Sequence, residues 1–338
     1  MTYVLRAAGI EDLDALYDLS KLTGGGFTNL PADRETLTAR LERSDASFAR
    51  EGESPDDDLY IFMLEEVGSG GIRGTCQVFG KVGVEQPFYS YRISTITQKS
   101  AELDRIFRNR LLSLCTDLEG ASEVGGLFLH PAARAGGLGL LLARSRYLFI
   151  KQHRPRFGDK ILAELRGVID EGGHSHFWDA IGGRFFGMTF PEADGFNAIH
   201  GTQFIADLFP KTPIYVNMLP EAARSVIGQP HPSGRAAMRM LEKEGLTFEH
   251  YIDIFDGGPT MVGTTDQVAS IRDSEWQLLG KPLDKGGEQM IVAAGRLKNF
   301  RCCHARGSLE DGELRMDATA MAALDVEPGD RVLAVSRR

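Results

Sequence analysis

The chain has 338 residues, 42% hydrophobic and 25% charged, which suits a soluble globular protein of two domains, or one large domain with an appendage. Its formal net charge of −9 argues against broad nucleic-acid or acidic-membrane binding. Met1 to Arg6 runs straight into acidic residues without a signal-peptide pattern, and no apolar run is long enough to span a bilayer, so no membrane partner and a cytoplasmic location are expected.

Tyr3 to Ala7 alternates as a first strand, and Glu11 to Leu22 places Leu13, Leu16 and Leu19 on one helical face. The run from Thr23 through Gly24, Gly25 and Gly26 to Pro31 reads as a loop over a pocket, followed by a helix from about Asp33 to Ala49. Leu59 to Glu66 and Ile72 to Val82 read as a hairpin joined by the turn residues Gly68 to Gly71, and Phe88 to Thr97 as a third β-rich run. Val124 to Leu129 is an apolar run of strand length, which Pro131 ends.

Arg134-Ala135-Gly136-Gly137-Leu138-Gly139 then leads into a helix with apolar side chains at Leu138, Leu141, Leu142, Tyr147, Leu148 and Phe149. Strand, glycine turn and helix start together form an anion site, because the first N–H groups of a helix lack internal partners. The dinucleotide fingerprint is excluded by the G-G-x-G spacing and by basic residues about twenty positions on; the ATP-type loop is excluded because no Gly-Lys-Ser/Thr follows. R-x-G-G-x-G after an apolar strand instead resembles the pyrophosphate loop of the GNAT superfamily of N-acyltransferases, which bind acyl-coenzyme A. An acidic protein that binds this polyanion must gather positive charge locally, for which Arg134, Arg144, Arg146, Lys151, Arg154 and Arg156 are candidates.

Lys160 to Arg166 is a further strand, Ser175 to Phe186 a helix, and 190–227 is mixed, with helices around Gly201–Leu208 and Glu221–Val226. Ser233 to Glu244 is an amphipathic helix stopped by Gly245, and Thr247 to Phe255 a strand closing at Asp256-Gly257-Gly258-Pro259. Residues 263–286 are polar and read as a linker, and 287–338 as a small β-rich domain with strands at Met290–Ala294, Arg301–Ala305 and Arg331–Val335 and a helix at Ala318–Leu324. Cys76, Cys115, Cys302 and Cys303 show neither C-x-x-C nor zinc spacing, so they are expected to be reduced structural thiols, and no metal is expected.

Several separate stretches are similar to one family in the right order: Thr23–Gly26 with Leu30–Ala32, Pro87–Arg92, Leu127–Leu129, Ala163–Glu171, Phe177–Trp178, Ile227–Pro232 and Tyr251–Thr260. Together they resemble the arginine N-succinyltransferase family. The resemblance implies an α/β (α+β) fold, a GNAT-like mixed sheet flanked by helices, with a small C-terminal β-barrel-like domain. The expected divisions are 1–262 for the acyltransferase domain with a helical insertion, 263–286 for a linker and 287–338 for the C-terminal domain. It further implies succinyl transfer from succinyl-CoA, as co-substrate and with no other cofactor, to the α-amino group of arginine. In the family the histidine of the Gly-Gln-x-His-Pro motif is the proton donor, which maps to His231, and a leucine of the strand before the glycine turn binds succinyl-CoA, which maps to Leu127.

With Leu127 the coenzyme set comprises Leu129, Arg134, Gly136, Gly137 and Gly139. An amine attacking a thioester must be neutral, yet an α-amino group with a pKa of about 8 is mostly protonated at neutral pH. A histidine within hydrogen-bond reach can accept that proton or protonate the departing thiolate. The carboxylate and guanidinium of arginine need an arginine fork and an acid, for which Glu164, Arg166, Tyr91 and Arg92 are the candidates. Thr95–Ser100, Asp104–Thr116 and Ala121–Gly126 depart from the family pattern, so ornithine or another amine remains open beside arginine, as does a non-catalytic subunit of a paired assembly. A homo- or hetero-oligomer is equally open.

Overall fold

The computed structural model describes residues 2–23, 29–134, 136–201 and 203–337. The glycine run Gly24–Gly26, expected as a loop over a pocket, lies outside the described residues, as does Ala135. The chain forms two compact units that interleave in sequence: Met1–Gly80, Ser122–Asp159 and Thr264–Arg338 make the first, and Lys81–Ala121 and Lys160–Gly263 the second.

In the first unit, Leu59–Glu66 is the central strand and its first six residues are buried. It pairs antiparallel with Tyr3–Ala7 on one side and Ile72–Phe79 on the other, and Ile72–Phe79 pairs in turn with Ser122–Leu129. Two helices cover this sheet. Arg34–Ala49 starts where Asp33 accepts the Thr36 N–H at 2.7 Å. Leu138–Gln152 is buried at every position from Leu141 to Ile150, its apolar runs on either side of Arg144-Ser145-Arg146 set into the core. Between them Phe149 meets Tyr60, Phe62 and Phe300 at ring separations of 4.9, 5.0 and 5.2 Å, mostly edge-on.

The C-terminal part of this unit is a closed five-stranded barrel, in the order Glu288–Ala294, Arg331–Ser336, Glu275–Leu279, Glu313–Met316 and Arg301–Glu310, with the last pairing back to the first. Within 263–286, read from composition as a linker, the structure has a short helix at Ala269–Arg272 and the barrel strand Glu275–Leu279. That strand is mostly exposed and short, and the polar residues on either side of it hide its role. Arg301–Glu310 also pairs with Tyr3–Ala7, in the register Val4 to Cys303, which joins barrel and sheet. All four cysteines are free, and Cys76, Cys302 and Cys303 are buried.

The second unit orders its strands Lys160–Glu164, Pro259–Thr264, Thr247–Ile252, Ser90–Ser100, Arg105–Cys115 and Ile214–Tyr215. Arg105–Cys115 is a strand that hydrophobic periodicity missed: it pairs with Ser90–Ser100 along its whole length, yet its first four residues are exposed and two of them are arginines. The predicted helix Ser175–Phe186 is two short ones, His176–Ala180 and Gly182–Phe186, broken at Ile181. Phe190–His200 is a helix inside the stretch read as mixed; Thr189 and Glu192 close a capping box at its start. These helices pack on Trp178, which is fully buried and stacks on Phe255 with ring centroids 5.6 Å apart.

Candidate acyl-coenzyme A and proton-transfer sites

Strand Ser122–Leu129 carries a bulge. Thr75 faces Phe128 and Gln77 faces Gly125, so three steps on this strand match two on its neighbour and the extra residue falls at Gly126–Leu127. Gly126 takes φ 55°, and a Cβ there would lie 2.6 Å from the Gln77 side chain; only glycine fits. The bulge interrupts the ladder beside Leu127, the position that sequence reading assigns to succinyl-CoA. Leu127 and Leu129 are half-buried on this strand.

Beyond His130 and a short 3-10 turn at Pro131–Ala133 comes the glycine turn. Gly136 and Gly137 both sit in the left-handed region, at φ 64° and 81°, and Gly137 caps the helix Leu138–Gln152. Gly136 is exposed and meets nothing where a Cβ would stand, and Gly139 is nearly as open. The turn is therefore a surface feature with helix N–H groups behind it. Arg134 is exposed beside it, its Nε donating to the Leu129 carbonyl at 3.4 Å.

Of the other basic residues expected to serve a polyanion, the four arginines are used elsewhere, Lys151 being the exception. Arg144 is buried and donates to the Ser270 hydroxyl and the Ser336 carbonyl, both at 2.7 Å. Arg146 is buried and donates to the carbonyls of Ala143 and Gly125. Arg156 is buried and donates to Ser47, Arg50 and Tyr60, while Arg154 pairs with Asp159 and Asp266. Each guanidinium is spent on its own fold, because a cation taken out of water without partners is costly. In their place stands Arg337, which sequence reading missed: its Nη2 donates to the Gly136 carbonyl at 2.6 Å. Its backbone is fixed by a bond from its N–H to the Gln289 carbonyl at 2.9 Å. No local signal marks Arg337, since it lies 201 residues along the chain from Gly136.

In the second unit, three stretches that are far apart in sequence meet at His231. Its N–H donates to the Arg166 carbonyl at 2.7 Å, and Gly167 bridges Pro230. Gly228 donates to the Gly257 carbonyl at 2.8 Å, and Leu165 to Pro259 at 3.1 Å. The knot is tied by Asp256, whose carboxylate accepts the N–H of Gly167 at 2.7 Å and of Gly258 at 2.8 Å. Burial first, and the neighbouring Asp253 second, push the Asp256 carboxyl well above the usual carboxylate range. Asp253 accepts the N–H groups of Phe255 and Asp256, and burial raises it too.

The His231 ring is half-buried, with Nδ1 2.7 Å from the Ser233 hydroxyl. The Ser233 N–H also reaches Nδ1, at 3.3 Å, which puts the neutral ring's proton on Nε2; Nε2 takes up a further proton only in the tautomer in which Nδ1–H donates to the Ser233 hydroxyl. Desolvation first, and the Arg166 guanidinium second, hold the imidazole below its ordinary value, so it is neutral at neutral pH. Such a group accepts a proton from an incoming ammonium and can return it to a leaving thiolate.

The four candidate amine-binding residues differ in placement. Arg166 lies on the His231 knot, half-buried, with its Nε buried and unpartnered. Glu164, half-buried, ends strand Lys160–Glu164. Tyr91 is 1% exposed, packed edge-on against Phe177 and Phe209, with its hydroxyl unpartnered. Arg92 is exposed and pairs with Asp117 at 3.3 Å, which also accepts from the Tyr251 hydroxyl at 3.0 Å. Among the described residues no group of three or more His, Cys, Asp or Glu side chains is placed to hold a metal ion, and no helix is long and apolar enough to cross a membrane.

Comparison with known proteins gives the same answer from end to end. A family model described as arginine N-succinyltransferase beta subunit matches residues 3–270, and one for the C-terminal domain of that subunit matches residues 275–336. An arginine N-succinyltransferase of Citrobacter koseri is 41% identical over 334 residues, covering 97% of this chain and 96% of the relative. One from Escherichia coli is 41% identical over 332 residues, with the same coverage of each chain. The solved structure of the arginine/ornithine succinyltransferase subunit AI from Pseudomonas aeruginosa superposes with a TM-score of 0.90 at 33% identity, covering 100% of this chain and 99% of that one. With the bulged strand, the open glycine turn and the knotted histidine loop in place, the chain belongs to the arginine N-succinyltransferase family.

Proposed function

We infer that this chain transfers a succinyl group from succinyl-CoA to the α-amino group of L-arginine, releasing coenzyme A, in the cytoplasm. Family membership over nearly the whole length carries the reading. In it the diphosphate of succinyl-CoA rests on the turn Gly136, Gly137 and Gly139, with Arg134 and Arg337 supplying positive charge. The pantetheine amides pair with the strand at Leu127 and Leu129, where the bulge interrupts the ladder. His231 takes a proton from the α-ammonium; the free amine attacks the thioester carbonyl, the tetrahedral intermediate collapses with cleavage of the carbon–sulfur bond, the His231 imidazolium protonates the thiolate, and the amide nitrogen releases its second proton to solvent. Arg166 and Glu164 offer the fork and the acid that an amino-acid carboxylate and a guanidinium need; Tyr91 and Arg92 are the further candidates.

Thiol release from succinyl-CoA, followed with a panel of L-arginine, L-ornithine and other amines, tests this. Release that depends on L-arginine supports it; release with another amine only moves the chain to a different acceptor, and no release with any amine defeats it. Ornithine belongs in the panel because the Pseudomonas aeruginosa relative is named for both amino acids.

A further inference from the structure

The second unit holds an open cavity of about 800 Å³ whose charged lining the acyl-transfer reading does not use. Arg110 reaches it from the paired strands, where it stands opposite Thr95, another lining residue. Arg235, Arg239 and Glu242 reach it from helix Arg235–Glu244, where spacings of four and three put them on one face. Among the described residues none of these four side chains has an ion-pair or hydrogen-bond partner, although Arg239 and Glu242 are three apart on one helix. Three free guanidiniums facing one cavity are out of character in a chain of net charge −9.

The wall opposite the helix is bent to meet them. Thr260 faces Tyr251 while Met261 faces Phe248, so strand Thr247–Ile252 bulges at Glu249–His250. His250 sits there at φ 66°, in the left-handed region that costs a side-chain-bearing residue about 1–2 kcal/mol. Bulges and such backbone outliers gather at binding sites, where they re-aim a side chain, and His250 lines the cavity. Met238, Ile227 and Phe248 supply apolar walls between the charges. Gly228, Gln229 and Pro230 close the cavity at one end, and the next residue is His231.

We propose that this cavity binds a small dicarboxylate that also bears one cationic group on an aliphatic chain, with the guanidiniums taking the carboxylates and Glu242 the cation. An N-succinylated basic amino acid, the product class of the inferred reaction, has this pattern. Occupancy bears on the backbone just before His231, so a filled cavity slows proton transfer and makes the product a feedback ligand. The choice of probe rests on the acyl-transfer reading; the cavity and its charges do not.

The test is calorimetric titration of the full chain with N-succinyl-L-arginine in saturating coenzyme A and L-arginine, with inorganic phosphate and succinate as comparison ligands at matched ionic strength. Saturable binding is expected to persist under those conditions. It should weaken about tenfold or more in Arg239→Gln and in Arg235→Gln, because each loses a charge-assisted pair. Glu242→Gln should weaken N-succinyl-L-arginine and leave succinate unaffected. Binding that coenzyme A and arginine abolish, binding unchanged in both arginine variants, or phosphate binding as tightly as the dicarboxylates would each overturn the proposal. A chain that binds the probe but transfers no acyl group would defeat the enzymatic reading alone, while turnover without binding would defeat this one alone.

Discussion

His231 is held by its own loop rather than by a carboxylate: the backbone bond to Arg166 fixes the residue and Ser233 fixes the ring. His231→Ala is therefore expected to lower kcat by about 10²–10⁴-fold, the usual worth of a positioned acid–base group, with the dissociation constant for succinyl-CoA nearly unchanged. Steady-state kinetics with a separate coenzyme titration checks both halves. Because burial and then Arg166 lower the imidazole, the acid limb of kcat at saturating substrates should fall below the ordinary 6.5. Arg166→Gln removes the second cause and should move that limb upward; a limb that stays put would take Arg166 out of the electrostatics. Asp256 is the residue whose loss would undo the knot. Asp256→Ala strands two buried N–H groups, each costing about 1–3 kcal/mol, which a urea melt would register as a large drop in midpoint.

At the level of elements, the glycine turn and the bulged strand are the parts that a substitution should separate cleanly from the histidine loop. Gly137→Ala places a side chain in the left-handed region, at about 1–2 kcal/mol, and drives its Cβ into the Arg337 guanidinium. The expected outcome is a raised KM for succinyl-CoA with KM for the amine little changed; equal rises in both would show that the turn serves the fold and not the coenzyme. Most of these elements were legible in the chain itself. The turn announced itself because glycines, an apolar strand and a helix start have to be adjacent to make it. Strand Arg105–Cys115 and barrel strand Glu275–Leu279 were not legible, because exposed strands need little apolar alternation and draw their stability from pairing partners distant in sequence.

Across the whole molecule, the barrel is tied into the fold by more than the chain that leads to it. Arg301–Glu310 pairs with the first strand, and Arg144 in the helix behind the glycine turn holds the Ser336 carbonyl. Truncation before Glu275 should therefore leave the Tyr3–Ala7 edge unpaired and give an aggregating product by size-exclusion chromatography, not a smaller stable enzyme. Two histidines in this unit set an acid limit. His153 donates from Nδ1 to the Phe149 carbonyl and accepts the Leu297 N–H at Nε2, so it is held neutral, and burial lowers it to about 4. Burial likewise lowers His304 to about 4, with Arg337 and Arg144 adding to the effect. Both folded values lie below the ordinary 6.5, so between 6.5 and 4 the unfolded chain binds more protons, and stability should fall as pH drops through that window. Urea melts across the window, with His153→Gln flattening the slope, would check it.

The sequence by itself determined the family, the order of strands and helices around the glycine turn, and the histidine motif, because each depends on residue types at fixed local spacing. Only the tertiary structure decided which cations are free. Arg144, Arg146 and Arg156 look on paper like partners for a polyanion and are consumed by backbone carbonyls, while Arg337 arrives at the turn from the end of the chain. The same holds for Arg110, Arg235 and Arg239, which face one cavity because a strand pairing and a helix packing bring them there. Whether a charge is spent or available depends on what folding sets beside it, and contacts across a hundred or more residues leave no trace in local composition.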